Sequence, residues 1–62
     1  MKLSELMEML PDVQVVQIIS ALDYIVFYSG IAENYPRIIR DADISGVGIR
    51  TINNILSITI DR

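Results

Sequence analysis

Apolar positions follow two rhythms along the chain. Between residues 2 and 10 they recur as Leu3, Leu6, Met7 and Leu10, the spacing that gathers side chains on one face of a helix. Lys2, Glu5 and Glu8 fall off that stripe. Ser4 is placed to cap the first turn, Glu5 sits near the positive end of the helix dipole, and Pro11 ends the element by driving Leu10 out of the helical region. The pattern predicts a short amphipathic helix packed on a sheet. Its acidic polar face argues against a helix lying on anionic lipid.

From Val13 the residue types change to Val-Gln-Val-Val-Gln-Ile-Ile, dense in β-branched side chains, and residues 13–19 read as a strand. Residues 20–23 read as a turn, and residues 24–28 as a second strand closed by Ser29-Gly30. Pairing about that turn sets Ile19 opposite Tyr24, Ile18 opposite Ile25, Gln17 opposite Val26, Val16 opposite Phe27 and Val15 opposite Tyr28. Alternation then puts Val16, Ile18, Ile25 and Phe27 on one face and Val15, Ile19, Tyr24, Val26 and Tyr28 on the other. Both faces are apolar. A helix covers one of them, and the Tyr-bearing face, with Val15, Ile19, Tyr24, Val26 and Tyr28, is expected to be an oligomer interface.

Pro36 forbids a straight helix through residues 31–44 but suits a first helical position, with Asn34 as a nearby cap, so a short helix is expected at about 36–40. Residues 47–52 and 55–60 flank Asn53-Asn54, and Asn tolerates the positive φ of a two-residue hairpin turn. That turn sets Ile52 opposite Ile55, Thr51 opposite Leu56, Arg50 opposite Ser57, Ile49 opposite Ile58 and Val47 opposite Ile60. One face then carries Val47, Ile49, Leu56, Ile58 and Ile60. The order helix, hairpin, short helix, hairpin predicts an α+β fold: one domain over residues 1–62, with an antiparallel sheet of about four strands and one or two short helices.

Composition adds self-association to this picture. With 62 residues and 52% hydrophobic content, the chain has more apolar side chains than so small an interior can hide. Unbroken apolar runs such as residues 24–28 fall far short of the roughly 20 residues that span a bilayer. A cytoplasmic homo-oligomer, most simply a two-fold dimer, is expected, with no membrane partner. Five Lys+Arg against eight Asp+Glu give a net charge of −3, which argues against DNA or RNA as partners. The absence of Cys and His excludes disulfides, thiolate chemistry, imidazole bases and ordinary zinc sites.

Candidate chemistry is sparse. Asp41 with Asp43, and Glu5 with Glu8, are the pairs that general acid–base work or Mg²⁺ would need, but no third ligand or nucleophile accompanies them. Pairing of the two aspartates with Arg37 or Arg40 is the expected compensation at a helix end. Gly46-Val47-Gly48 precedes a β-rich run instead of the helix a phosphate loop requires, and reads as a bend or bulge entering a strand. No enzyme, metal or cofactor is expected. Arg37, Arg40 and Arg50 with Tyr24, Tyr28 and Tyr35 are the remaining set: Arg forks bind phosphate, aromatic rings stack on bases, and together they supply a site for a small anionic nucleotide. The competing reading has these arginines paired with surface acids and the tyrosines filling an interface.

The opening Lys2-Leu3-Ser4-Glu5-Leu6-Met7-Glu8-Met9-Leu10-Pro11-Asp12, the following Val13-Gln14-Val15-Val16, the run 24–30 and the hairpin 47–60 together resemble the layout of small acidic bacteriophage and prophage proteins. The resemblance covers nearly the whole chain and carries no site motif. It departs from that layout in the first hairpin, where Ile18, Ile19, Tyr24 and Phe27 stand in a region often acidic. It implies a host-defence inhibitor in the bacterial cytoplasm that acts by stoichiometric binding. Such a protein either sequesters a nucleotide signal at a subunit interface or occludes a host protein; the resemblance assigns no residue to either, and for capture the residue types themselves point to Arg37, Arg40 and Arg50 as phosphate ligands with Tyr24, Tyr28 or Tyr35 stacking. The alternative is a structural or accessory phage protein that only oligomerises.

Overall fold

A computed structural model of the chain describes residues 1–50 and 53–62 and, of Arg50, the backbone alone. Helix α1 spans Leu3–Met9, followed by strands β1 (Val15–Ser20), β2 (Val26–Ile31), β3 (Ile44–Arg50) and β4 (Ile55–Ile60). Two short 3-10 turns, Ala32–Asn34 and Arg37–Ile39, lie between β2 and β3. The second replaces the short helix expected at about 36–40, and its N-terminal flank is Pro36 instead of Asn34.

The helix starts two residues earlier than a Ser4 cap would set it. Lys2 occupies the cap position, and the Glu5 carboxylate accepts a hydrogen bond from the Lys2 backbone N–H at 2.8 Å. The Ser4 N–H, freed from the helix, donates to the Arg40 carbonyl at 3.0 Å, and Leu3 N–H donates to Ala42 at 2.9 Å. These bonds seat the start of α1 on the chain that crosses from β2 to β3. Leu10, ahead of Pro11, is extended and ends the helix as expected.

The sheet corrects the expected all-antiparallel arrangement. Its order is β2-β1-β4-β3, with β1 and β4 parallel at the centre and an antiparallel hairpin on each side. The crossover through the 3-10 turns carries the chain past β1 and β4 to the far edge, so β4 returns beside β1 in the same direction. Val16, Ile18 and Ser20 of β1 align with Leu56, Ile58 and Ile60 of β4, and all six are buried. Leu3 and Met7 of α1, with Ala32, Tyr35, Ile39 and Ala42 of the crossover, close the core over them. Burying each large aliphatic side chain here contributes about 1.5–3 kcal/mol.

Both hairpin registers differ from expectation. In β1·β2 the pairs are Val15 with Ile31, Val16 with Gly30, Gln17 with Ser29, Ile18 with Tyr28 and Ile19 with Val26, and Phe27 is bulged out. The loop therefore takes residues 21–25, and the odd shift carries Tyr28 to the core side while Val26 stays on the open side. In β3·β4, Ile49 pairs with Leu56, Val47 with Ile58 and Arg50 with Ile55, two residues off the expected register. The expected pairs of Thr51 and Ile52 lie outside the described residues. This shift is even, so Val47 and Ile49 keep the side shared with Leu56 and Ile58, but α1 does not reach over the edge strand and both stay exposed.

Candidate functional site

The loop 21–25 is built around one buried polar side chain. Ser20 ends β1 pointing into the core, where its hydroxyl donates to the Arg62 carbonyl and accepts from the N–H groups of Leu22 (3.1 Å) and Asp23 (3.3 Å). Ser20 N–H donates to Ile25 at 2.8 Å, Tyr24 N–H to Ser20 at 3.0 Å, and Ala21 N–H to Ile60 at 2.8 Å. The Asp23 carboxylate accepts from Ile25 N–H at 3.2 Å. With the loop's backbone drawn inward, its side chains are left outside. Leu22 is 78%, Tyr24 79% and Ile25 58% exposed, and Val26 and Phe27 continue the apolar patch into β2.

Tyr24 has φ of 60°, left-handed backbone that a non-glycine residue adopts at a cost of about 1–2 kcal/mol. Strain of this kind persists where surrounding bonds over-determine it and clusters at binding sites. Tyr24 was expected within a strand. Ile25, expected in that strand opposite Ile18, stands instead in the loop because Tyr28 takes its place beside Ile18. Leu22 has no expected role, although a leucine inside a Ser-Ala-Leu-Asp turn is a usable signal, since turns favour small polar residues.

A second feature is a cleft of about 340 Å³ between α1 and the crossover, lined by Tyr35, Arg37 and Arg40 together with Glu8, Asp12 and Glu33. The sequence spacing thus brings three of the expected ligand residues together. Their chemistry is partly engaged already: Arg37 donates from Nη1 to the Tyr35 carbonyl at 2.8 Å and from Nη2 to the Glu33 carbonyl at 2.9 Å. Its guanidinium lies 4.0 Å from the centre of the Tyr35 ring, which is itself buried. Three carboxylates face two guanidiniums around this cleft, a balance that opposes a polyanion.

The other expected ligand residues are dispersed. Tyr28 lies half-buried on the core side, its hydroxyl donating to the Ile31 carbonyl at 2.7 Å. Its ring end closes over Gly30, where an added Cβ would stand 2.7 Å from the Tyr28 oxygen. Tyr24 is at the loop tip, and the Arg50 side chain lies outside the described part of the structure. Of the expected interface residues, Val15, Ile19 and Val26 share the open sheet face, whereas Tyr24 is not in a strand and Tyr28 faces the core.

Asp43 pairs with Lys2 at 3.0 Å instead of with Arg37 or Arg40, because the Lys2–Asp43 backbone bridge brings the two side by side. The hydrogen bond from the Lys2 ammonium, and then its charge, hold the Asp43 carboxyl below its ordinary value. Among the described residues, no group of three acidic side chains is arranged to hold a metal ion, and no helix is long and apolar enough to cross a membrane. No protein-family model, curated protein or solved structure matches the chain.

Proposed function

We propose that the chain is a non-enzymatic, self-associating protein that acts by stoichiometric binding, masking a partner protein's surface with the loop tip formed by Leu22, Tyr24 and Ile25. The observation that carries this reading is that tip: three large apolar side chains on a backbone fixed by the Ser20 hydroxyl and by Asp23. A loop already held in one conformation loses little entropy on docking, which is how preorganised binders gain affinity. Tyrosine at such a position is the residue type that dominates interface energetics. The likeness of layout to small phage proteins makes a bacterial host-defence protein the partner class to try first, in the host cytoplasm.

Sequestration of a nucleotide signal is the second reading, favoured by the convergence of Tyr35, Arg37 and Arg40 on one cleft. It ranks lower because a phosphate has to displace Arg37 from two carbonyls and tolerate Glu8, Asp12 and Glu33 nearby.

A photo-crosslinking analogue at position 24, used in bacterial cells, tests the first reading. The expected result is a one-to-one adduct with a single host protein, lost when Leu22→Ser and Ile25→Ser are introduced. No adduct, or adducts with many proteins in proportion to their abundance, overturns it. Native mass spectrometry with cyclic nucleotides and ADP-ribose derivatives is the counter-test, since a discrete added mass that Arg40→Ala removes would establish capture instead. An oligomer giving neither result leaves the structural or accessory role.

A further inference from the structure

We infer that the open face of the sheet is the contact surface between two copies of this chain, packed sheet on sheet about a two-fold axis. This rests on the self-association reading above and assigns its surface. The register places Val15 and Ile19 of β1, Val26 and Ile31 of β2 and Ile55 of β4 on the side away from α1, interleaved with serine, threonine and glutamine. No element among the described residues covers them.

Charge selects the occupant. None of the eight acidic residues lies in a strand, and β1, β2 and β4 contain no charged residue of either sign. The carboxylates belong to α1, the loops, the crossover and the segment after β4. In a chain of net charge −3, two copies meeting through the helical side bring like charges together, whereas the open sheet face carries no acidic position and one basic one, Arg50, which the register sets beside Ile55 at the end of the edge strand. A highly charged partner surface would instead lose hydration over β1, β2 and β4, which hold no counter-ion, and would meet only the Arg50 position at one corner.

The area is that of a weak dimer. Four strands about 4.8 Å apart, each about 20 Å long, present a footprint of about 380 Å² per copy. Two copies together therefore cover about 760 Å², the low end of the range, where association is weak and concentration-dependent. β3 adds a shallow trough: Gly46 and Gly48 pair with Thr59 and Ser57 of the open face, and a Cβ at either meets nothing within 4 Å. Neither has a positive φ, so the isolated fold does not demand glycine there. Strand glycines of this kind suit close approach by another backbone.

Light scattering and native mass spectrometry over a concentration series test the assignment. The wild-type chain is expected to dimerise. Gly48→Val, which fills the trough without a clash in the single chain, and Ile55→Lys are each expected to raise the dimer Kd roughly 30-fold or more while circular dichroism stays unchanged. Ile49→Lys, exposed on the opposite side of β3, is expected to leave the dimer intact. A wild-type monomer throughout, or a dimer indifferent to both face variants, overturns the assignment, as does dissociation by Ile49→Lys alone, which would mean edge pairing. Leu22→Ser leaves the dimer unchanged, so failure of the loop-tip reading registers only in crosslinking.

Discussion

Among the described residues, the connections of the two hairpins each contain one left-handed residue, and they reach it by opposite routes. Asn54, with φ of 51°, is a residue type that visits this region routinely, and Gln14 donates to its carbonyl at 3.0 Å. Tyr24, with φ of 60°, has no such preference and is held by bonds that converge from Ser20 and Asp23. The contrast separates a turn written into local sequence from one imposed by its surroundings. The imposed turn carries exposed large apolar side chains on both sides of its left-handed residue, Leu22 before it and Ile25 after it.

The largest effect should come from removing what imposes that turn. Ser20→Ala leaves the Leu22 and Asp23 N–H groups and the Arg62 carbonyl without a partner. It is expected to lower stability by about 1–3 kcal/mol in urea denaturation. A change near zero would mean that the loop bonds are dispensable. Gly30→Ala breaks the same hairpin at its other end, because the new methyl must displace the Tyr28 hydroxyl from the Ile31 carbonyl. A loss of about 1–2 kcal/mol is expected, and Tyr28→Phe in the same background should add little further.

The two left-handed residues should then respond in opposite directions. Asn54→Ala is expected to cost about 1 kcal/mol, whereas Tyr24→Asn is expected to gain a similar amount by relieving strain. If Tyr24→Asn also abolishes crosslinking to a partner through position 22, stability and binding trade against each other at one residue. Loss of stability on Tyr24→Asn would instead assign the tyrosine a packing role.

The smallest effect belongs to the exposed Lys2–Asp43 pair, remote from both turns. The folded state holds the Asp43 carboxyl below its ordinary value, so the contribution is present above the unfolded pKa of about 3.9 and fades as pH falls through the folded one. Lys2→Met should move the Asp43 titration, followed by NMR, upward toward the ordinary carboxylate range. An unchanged midpoint would remove Lys2 as the cause.

Element types were legible because each rests on local chemistry. The 3.6-residue spacing from Leu3 to Leu10 gave α1 and Pro11 gave its end. The β-branched density around Val15 and Ile58 gave the strands. Registers were less legible, since they depend on loop lengths that side chains elsewhere decide. Nothing local to residues 20–25 announces that the Ser20 hydroxyl will hold two N–H groups and carry Tyr24 out of the strand. The parallel pairing of β1 with β4 likewise depends on the path of residues 32–43, where short 3-10 turns stand in for a recognisable crossover helix. For the candidate site, the spacing placed Tyr35, Arg37 and Arg40 together, but the Arg37 bonds to two backbone carbonyls follow from the local chain path and carry no sequence signature.

The central parallel pair also sets a timetable. Val16 and Ile18 pair with Leu56 and Ile58 some 40 positions away, so this contact closes late in folding, after the local hairpins. During that interval β1 and β2 form a two-stranded ribbon that is marginal in water and offers an unsatisfied edge to any passing strand. Docking of the second hairpin is therefore the step that protects the first, and refolding from denaturant at rising protein concentration should raise the aggregated fraction as edge-to-edge encounters outpace that docking.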